Sequence, residues 1–195
     1  MTRIAGRMRR AVFLDRDGVI LRAIVRDGRP IAPASLEEAA YDPDAPAAIQ
    51  RLRAAGFLTI VVTNQPDVGS GLLRAEAVEA IHADLRARLP VDDIKVCYHT
   101  SDDACACRKP KPGMLLDAAR AWGVDLARSV MIGDRWSDIA AGRAAGCKTV
   151  LIDAAYAERA AEAPDATVRS LAEASQVILS TWNHRPRTEV LHAGP

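Results

Sequence analysis

Short apolar runs alternate with helical patterns along most of this chain, and that alternation constrains its fold more than any other feature. Ala11 to Leu14 is a brief apolar run that ends in an acidic loop. Phe57 to Thr63 (FLTIVVT) is an unbroken β-branched run, the pattern of a strand buried on both faces. Ile94 to Tyr98, Val130 to Ile132 and Thr149 to Ile152 read as further strands. Between them, Asp44 stands as an N-cap with Pro46 in the first turn, Ile49 and Leu52 form an apolar face, and Gly56 marks the stop. Val78, Ile81, Leu85 and Leu89 recur at helical spacing until Pro90 ends the pattern. Further helices are predicted from about Gly113 to Trp122 and from about Ser137 to Ala145, closed by Gly123 and Gly146. Ser170 and Glu173 fit a capping box before a last helix through about Leu179. Five strands alternating with helices imply an α/β fold, a parallel sheet covered on both faces.

The chain has 195 residues, enough for one domain and a short appendage. A single domain over 1–182 is expected, with a flexible tail over 183–195 that carries charge, two prolines and little apolar pattern. Hydrophobic residues make up 49% but aromatic ones only 4%, so the core must be aliphatic. The net charge of +1 argues against nucleic acid as a partner, since such binders carry a basic excess. The basic start, Met1 to Arg10, is followed by no apolar stretch of secretory length. No run approaches the ~20 apolar residues of a membrane span. A soluble, cytoplasmic protein without a membrane partner is the expectation, as a monomer.

Chemistry gathers where the strands end. Asp15 and Asp17 flank Arg16 directly after the first strand, with Gly18 next. Ligands of such sheets bind at the carboxyl ends of the strands. Two carboxylates brought together there repel unless a cation lies between them, and Mg2+ prefers oxygen ligands and pairs with phosphate. One carboxylate can then attack phosphorus while the other handles the proton. Taken alone, Asp-x-Asp-Gly is equally an acidic turn. Thr63-Asn64-Gln65 follows the second strand and offers a hydroxyl and N–H groups to phosphate oxygens. Arg108-Lys109-Pro110-Lys111 precedes a helix and holds two of the chain's four lysines. Gly133-Asp134-Arg135-Trp136-Ser137-Asp138 follows the fourth strand. Asp134 is placed to complete a Mg2+ shell, and Asp138 to support it or to cap the helix. Each signal is modest alone, but all four occur in order at strand ends around a single crevice.

In that order, Phe13–Ile20, Val61–Gln65, Cys107–Met114 and Met131–Asp138 resemble the four motifs of the haloacid dehalogenase superfamily of phosphohydrolases. The resemblance covers about Ala11 to Asp153. It implies a Rossmann-like sheet and Mg-dependent phosphomonoester hydrolysis through an aspartyl-phosphate. Asp15 is then the nucleophile and Asp17 the acid/base. Thr63 and Lys109 hold the phosphoryl group, and Asn64, Arg108 and Arg135 join them as substrate-binding residues. Mg2+ is held by Asp15, by the backbone of Asp17 and by Asp134. No insertion is long enough for a large cap domain, so a small phosphorylated sugar is the expected substrate.

Cysteine usage narrows the resemblance. Cys97, His99, Cys105 and Cys107 form Cys-x-His-x5-Cys-x-Cys, while Cys147 stands apart. The pattern is similar to the zinc loop of two branches of the superfamily, the heptose-bisphosphate and the histidinol-phosphate phosphatases. Three thiolates and an imidazole make a closed, structural Zn2+ site. Lys109-Pro110-Lys111-Pro112-Gly113-Met114-Leu115 resembles the heptose branch, and the short His99–Cys105 spacing the histidinol branch. Hydrolysis of a heptose 1,7-bisphosphate to the 1-phosphate is the leading expectation, with histidinol phosphate or another small phosphorylated metabolite as alternatives. Cys147 is expected to be a packing residue. His82, His184 and His192 show no partner pattern and are read as non-catalytic.

Overall fold

A computed structural model describes residues 8–183; the expectations for His184, His192 and the tail beyond 183 lie outside them. Strand β1 (Arg10–Leu14) lies at the middle of the main sheet. It pairs in parallel with β4 (Phe57–Asn64) on one side and β6 (Val130–Gly133) on the other. Beyond β4 lies β5 (Asp93–Cys97). Beyond β6 lie β7 (Lys148–Ile152) and β8 (Ala166–Val168). The order is therefore β5-β4-β1-β6-β7-β8. The chain works outward from β1 to β5, then returns to the other side of β1. That reversal opens a crevice at the carboxyl ends of β1 and β6. Leu14 is level with Val61 of β4 and Ile132 of β6, so the residues after all three strands emerge side by side.

Alternation along β1 divides the core into two layers. Val12 and Leu14 pack with Ile49 and Leu52 of α1 (Ala45–Ala54) and with Leu171 and Ala174 of α6 (Leu171–Val177). Ala11 and Phe13 face Met114, Leu115 and Ala118 of α4 (Gly113–Trp122) and Ala141 of α5 (Trp136–Ala145). Cys147 is buried in this second layer, as a packing residue should be. Helix α3 (Ala75–Arg88) buries Val78, Ile81 and Leu85. No described helix is long and apolar enough to cross a membrane.

Several expectations need correction in detail. Among the described residues the main sheet has six strands, not five, because β8 adds to the edge at β7. Its three residues are too few to show periodicity. A second sheet, the hairpin of β2 (Ile24–Arg26) and β3 (Arg29–Ile31), was also unforeseen. A short helix, α2 (Pro66–Gly69), follows β4. Asp44 occupies the N-cap of α1, but its side chain makes no capping bond; Asp42 Oδ1 accepts from the Asp44 N–H instead. Ser170 does cap α6 by accepting from Glu173 N–H at 3.2 Å, but the Glu173 carboxylate returns to Arg169 N–H rather than to Ser170. Beyond Val177 the last helix widens into a π turn over Ile178–Trp182. Asn183, placed in the expected tail, accepts a bond from Arg10 Nη2 at 3.1 Å.

Helix α5 is pressed onto the sheet at Gly142. A methyl group added there would lie 2.6 Å from Met131 Cβ and 2.9 Å from Thr149 Cγ2. Gly142→Ala should therefore destabilise the fold by about 1–3 kcal/mol through overpacking, read as a lower urea midpoint. An unchanged midpoint would show that α5 moves off the sheet without penalty.

Candidate active site

Asp15 is the first residue past β1, and its N–H continues the ladder to Ile132 O at 2.9 Å. The chain then folds back tightly, with Ile20 and Leu21 N–H both donating to Arg16 O. Gly18 makes this turn possible. It has φ +90°, and a Cβ there would fall 1.8 Å from Asp134 Oδ2. Any side chain at position 18 would enter the site.

Lys109 reaches into the same space from the loop between β5 and α4. Its Nζ lies 2.8 Å from Asp15 Oδ1, 2.6 Å from Asp138 Oδ1 and 2.8 Å from Val62 O. Burial alone would push this ammonium down; the charges of Asp138 and Asp15 outweigh it and hold the lysine above its usual range. The loop is fixed by a reciprocal pair: Asn64 Nδ2 donates to Lys109 O at 3.0 Å and Lys109 N–H donates to Asn64 Oδ1 at 3.1 Å. Asn64 was expected to bind substrate, and its amide is already engaged in placing Lys109.

Asp15, Asp134 and Asp138 can each offer an oxygen to a common point, these atoms lying within 4.8 Å of one another. Asp138 also caps α5, its Oδ2 accepting from Arg135 N–H at 3.1 Å, so both roles expected of it meet in one side chain. Burial, then repulsion from Asp15 and Asp138, drives the Asp134 carboxyl well above its ordinary range. Burial likewise raises Asp138 to about 6, against the pull of Lys109. Asp134 Oδ2 accepts from Tyr156 Oη at 2.7 Å, but its buried Oδ1 has no partner among the described residues. Three buried acids around one lysine, with one oxygen orphaned, suit a hard divalent cation.

The Asp17 carboxylate does not join that triad. Arg16 grips it at both oxygens, Nε–Oδ1 and Nη2–Oδ2 each 3.0 Å, and Gln65 Nε2 adds a bond to Oδ2 at 2.8 Å. Burial raises the Asp17 carboxyl despite the opposing charge of Arg16. Arg16 is itself fully buried and extends to His82 Nε2 at 3.1 Å. His82 Nδ1 meets Glu79 Oε1 at 3.2 Å, and Tyr98 Oη donates to the same oxygen at 2.5 Å. His82 is thus not without partners. It belongs to a chain of contacts that runs behind Asp17 from the buried Arg16 to Glu79 at the surface. Thr63, buried below the crevice, accepts from Gln65 Nε2 at 2.9 Å.

Asp15, Asp17, Thr63, Asn64, Lys109 and Arg135 share one cavity of about 160 Å3, walled on one side by Pro30 and Ile31 of the β2–β3 hairpin. Arg108 lies outside it, in an adjoining cavity with Lys111 and Arg135. Arg108 Nη1 donates to His99 O at 3.1 Å. Arg135 is held by Glu158 through two bonds, at 2.9 and 2.6 Å. Tyr156 and Glu158 carried no motif signal.

Cys97, His99, Cys105 and Cys107 converge beside this site. Sγ of Cys97 lies 3.1 Å from Cys107 Sγ, 3.9 Å from Cys105 Sγ and 3.5 Å from His99 Nδ1, with His99 Nδ1 at 3.2 Å from Cys107 Sγ. Zn–S bonds of about 2.3 Å in a tetrahedron need sulfur edges near 3.8 Å, so small outward shifts would seat the ion. Burial and the bond to Cys107 push the Cys97 thiol up to about 12; a cation is what such a thiol needs to ionise. The loop docks on α4 where Gly113 N–H donates to Ala106 O at 3.1 Å.

A family profile described as HAD-hydrolase-like matches residues 106–174. A D-glycero-beta-D-manno-heptose-1,7-bisphosphate 7-phosphatase of Rhodopseudomonas palustris is 39% identical over 150 residues, 71% of this chain and 80% of the relative. A Mycobacterium tuberculosis relative, named for the alpha anomer, is 36% identical over 163 residues, 78% of this chain and 84% of the relative. The D,D-heptose 1,7-bisphosphate phosphatase of Bordetella bronchiseptica, solved with magnesium and phosphate, matches with a TM-score of 0.76 at 32% identity, over 88% of this chain and 98% of that one. The chain belongs to the haloacid dehalogenase-like hydrolases, in the family of these heptose-bisphosphate phosphatases.

The buried His82 generates a pH prediction. Burial, then the charge of Arg16, lowers it from 6.5 to about 4. Between those values the unfolded chain takes up a proton that the folded chain refuses, so stability falls as pH falls. His82→Gln removes this contribution. The stability advantage of the wild type over the variant should narrow by about 2 kcal/mol from pH 7 to pH 5. A constant difference at both pH values, by urea unfolding, would contradict it.

Proposed function

We propose that this chain hydrolyses a phosphomonoester of D-glycero-D-manno-heptose 1,7-bisphosphate, releasing phosphate and the heptose 1-phosphate. The carrying observation is the Asp15–Lys109 contact of 2.8 Å at the base of the crevice, beside the unpartnered oxygen of Asp134. The names of the relatives supply the sugar.

In this reading Asp15 Oδ1 is held by Lys109 and its other oxygen attacks phosphorus. The bond from phosphorus to the sugar oxygen breaks as Asp17 donates a proton to that oxygen. Burial raises the Asp17 carboxyl above its ordinary range, the direction a proton donor needs. Asp17 then takes a proton from water, the water oxygen attacks phosphorus, and the bond to Asp15 breaks to free phosphate. Lys109 and Thr63 bind the phosphoryl oxygens, and Asn64 keeps Lys109 in reach. Asp15, Asp134 and the backbone of Asp17 are the groups that would hold Mg2+, which when bound offsets charge on the phosphoryl oxygens. Cys97, His99, Cys105 and Cys107 would hold a structural Zn2+ that keeps the Arg108–Lys109 loop against the crevice.

Asp15→Asn should lower kcat by about a thousandfold or more, measured as phosphate release with Mg2+ present. Robust turnover by the variant would end the aspartyl-phosphate scheme. Both anomers of the heptose bisphosphate, run beside histidinol phosphate, would identify the substrate by kcat/KM. Preference for histidinol phosphate would overturn the sugar reading alone. Elemental analysis of protein purified without chelator should find about one Zn per chain; finding none would remove the structural zinc.

A further inference from the structure

Arg135 forms a wall between inner and outer spaces. Inside, it lines the Asp15 cavity and the adjoining cavity that contains Arg108 and Lys111. Outside, it lines a separate depression with Tyr156 and Glu158. Glu158 meets the guanidinium from this outer side, Nε to Oε2 at 2.9 Å and Nη2 to Oε1 at 2.6 Å. It lines neither inner cavity, so its effect on a ligand there passes through Arg135.

The segment that carries Glu158 is fastened independently of that pair. Tyr156 Oη donates to Asp134 Oδ2 at 2.7 Å. Ala157 N–H donates to Gly28 O, at the turn of the β2–β3 hairpin, at 2.9 Å. The Arg159 guanidinium carbon lies 4.8 Å from the centroid of the Trp136 ring, and Arg143 Nη1 donates to Glu162 O at 2.9 Å. The Glu158 carboxylate is therefore a fixed charge on a tied strap, and no step of the hydrolysis uses it.

We propose that Glu158 is a specificity-determining residue that acts through Arg135, setting how tightly the pocket holds the second anionic group of a doubly phosphorylated substrate. This rests on the phosphatase reading of the Asp15 site, though not on which sugar is cleaved. The phosphoryl group being transferred must lie against Asp15 and Lys109, at the base of the crevice. A second phosphate, several bonds away, falls nearer its wall. An unpaired arginine there would attract any second anion, whatever its geometry. Pairing with Glu158 cancels the net charge but occupies only two of the five N–H donors. Three remain for a ligand that fits their geometry. The wall then selects by hydrogen bonding more than by charge.

The test uses the full Mg-loaded chain hydrolysing p-nitrophenyl phosphate, with fructose 1,6-bisphosphate and fructose 6-phosphate as competing ligands. Glu158→Gln keeps the size and one acceptor for Arg135 but loses the charge. It should lower the inhibition constant of the bisphosphate by about fivefold and that of the monophosphate by less than about twofold. Glu158→Asp, which keeps the charge, should return the ratio of the two constants towards the wild-type value. Asp117→Asn makes the same change in net charge on the exposed face of α4 and should leave the ratio alone. Equal shifts for both ligands, no shift, or a Glu158→Asp variant that behaves like Glu158→Gln would overturn the proposal. If the wild type releases nitrophenol but rejects heptose bisphosphate, the substrate reading fails while this ratio is still measured. If it releases no nitrophenol, calorimetric titration with the same two ligands gives the ratio directly.

Discussion

The ammonium of Lys109 is the point on which the rest of the site depends. A buried cation must be paired or its desolvation outweighs everything near it. Here the partners come from three separate elements: Asp15 after β1, Asp138 in α5 and the carbonyl of Val62 in β4. Lys109 itself comes from a fourth, the loop that carries Cys105 and Cys107. One side chain thus joins the centre of the sheet, a covering helix and the cysteine loop. Removing Lys109 would leave the buried carboxylates of Asp15 and Asp138 without the cation they share and would free the loop that carries it. Stability and chemistry are not separable at this residue.

The same electrostatics leave the site unfinished. Lys109 balances only part of the charge of Asp15, Asp134 and Asp138, and burial makes the shortfall costly. Gly18 shows how tightly that charge is confined, since even a methyl group would strike Asp134. A cleft that gathers acids this closely is strained towards protonation when empty and towards a divalent cation when filled. Asp17 escapes the conflict because Arg16, backed by His82, pulls its carboxylate to one side. Two carboxylates one residue apart thereby acquire different environments, one against Lys109 and the other clamped by Arg16.

The sequence made the sheet readable because each long strand is a continuous apolar run, and β1, β4, β6 and β7 fall within one or two residues of expectation. The acidic candidates were legible because Asp15 and Asp134 directly follow such strands and Asp138 lies in the first turn of α5. What escaped was either short or remote. Strand β8 has three residues, too few for a period. The β2–β3 hairpin does carry a signal, Asp27-Gly28 with both φ values positive, which is the residue pair such a turn favours. Yet Arg22 to Pro33 lacks the alternating apolar pattern that would mark the flanking strands. His82 lies 66 positions from Arg16, and its role follows from contact, which spacing alone does not encode.

That division has a physical basis. Chemistry on phosphorus needs a few groups at fixed separations, and strand ends deliver them in a fixed order. Discrimination among sugars needs only a wall of suitable shape and charge, which many loop sequences can build. In this chain the wall is assembled from two segments far apart in sequence, the β2–β3 hairpin and the strap after β7, joined by one backbone bond from Ala157 to Gly28. Backbone bonds place no demand on residue type beyond excluding proline at the donor. The bond that unites the wall therefore leaves no trace in the sequence, and neither does the position it gives Glu158 against Arg135. A reaction can be read from motifs because its geometry is tied to particular side chains, whereas the contact between these two loops rests on a backbone bond that names none.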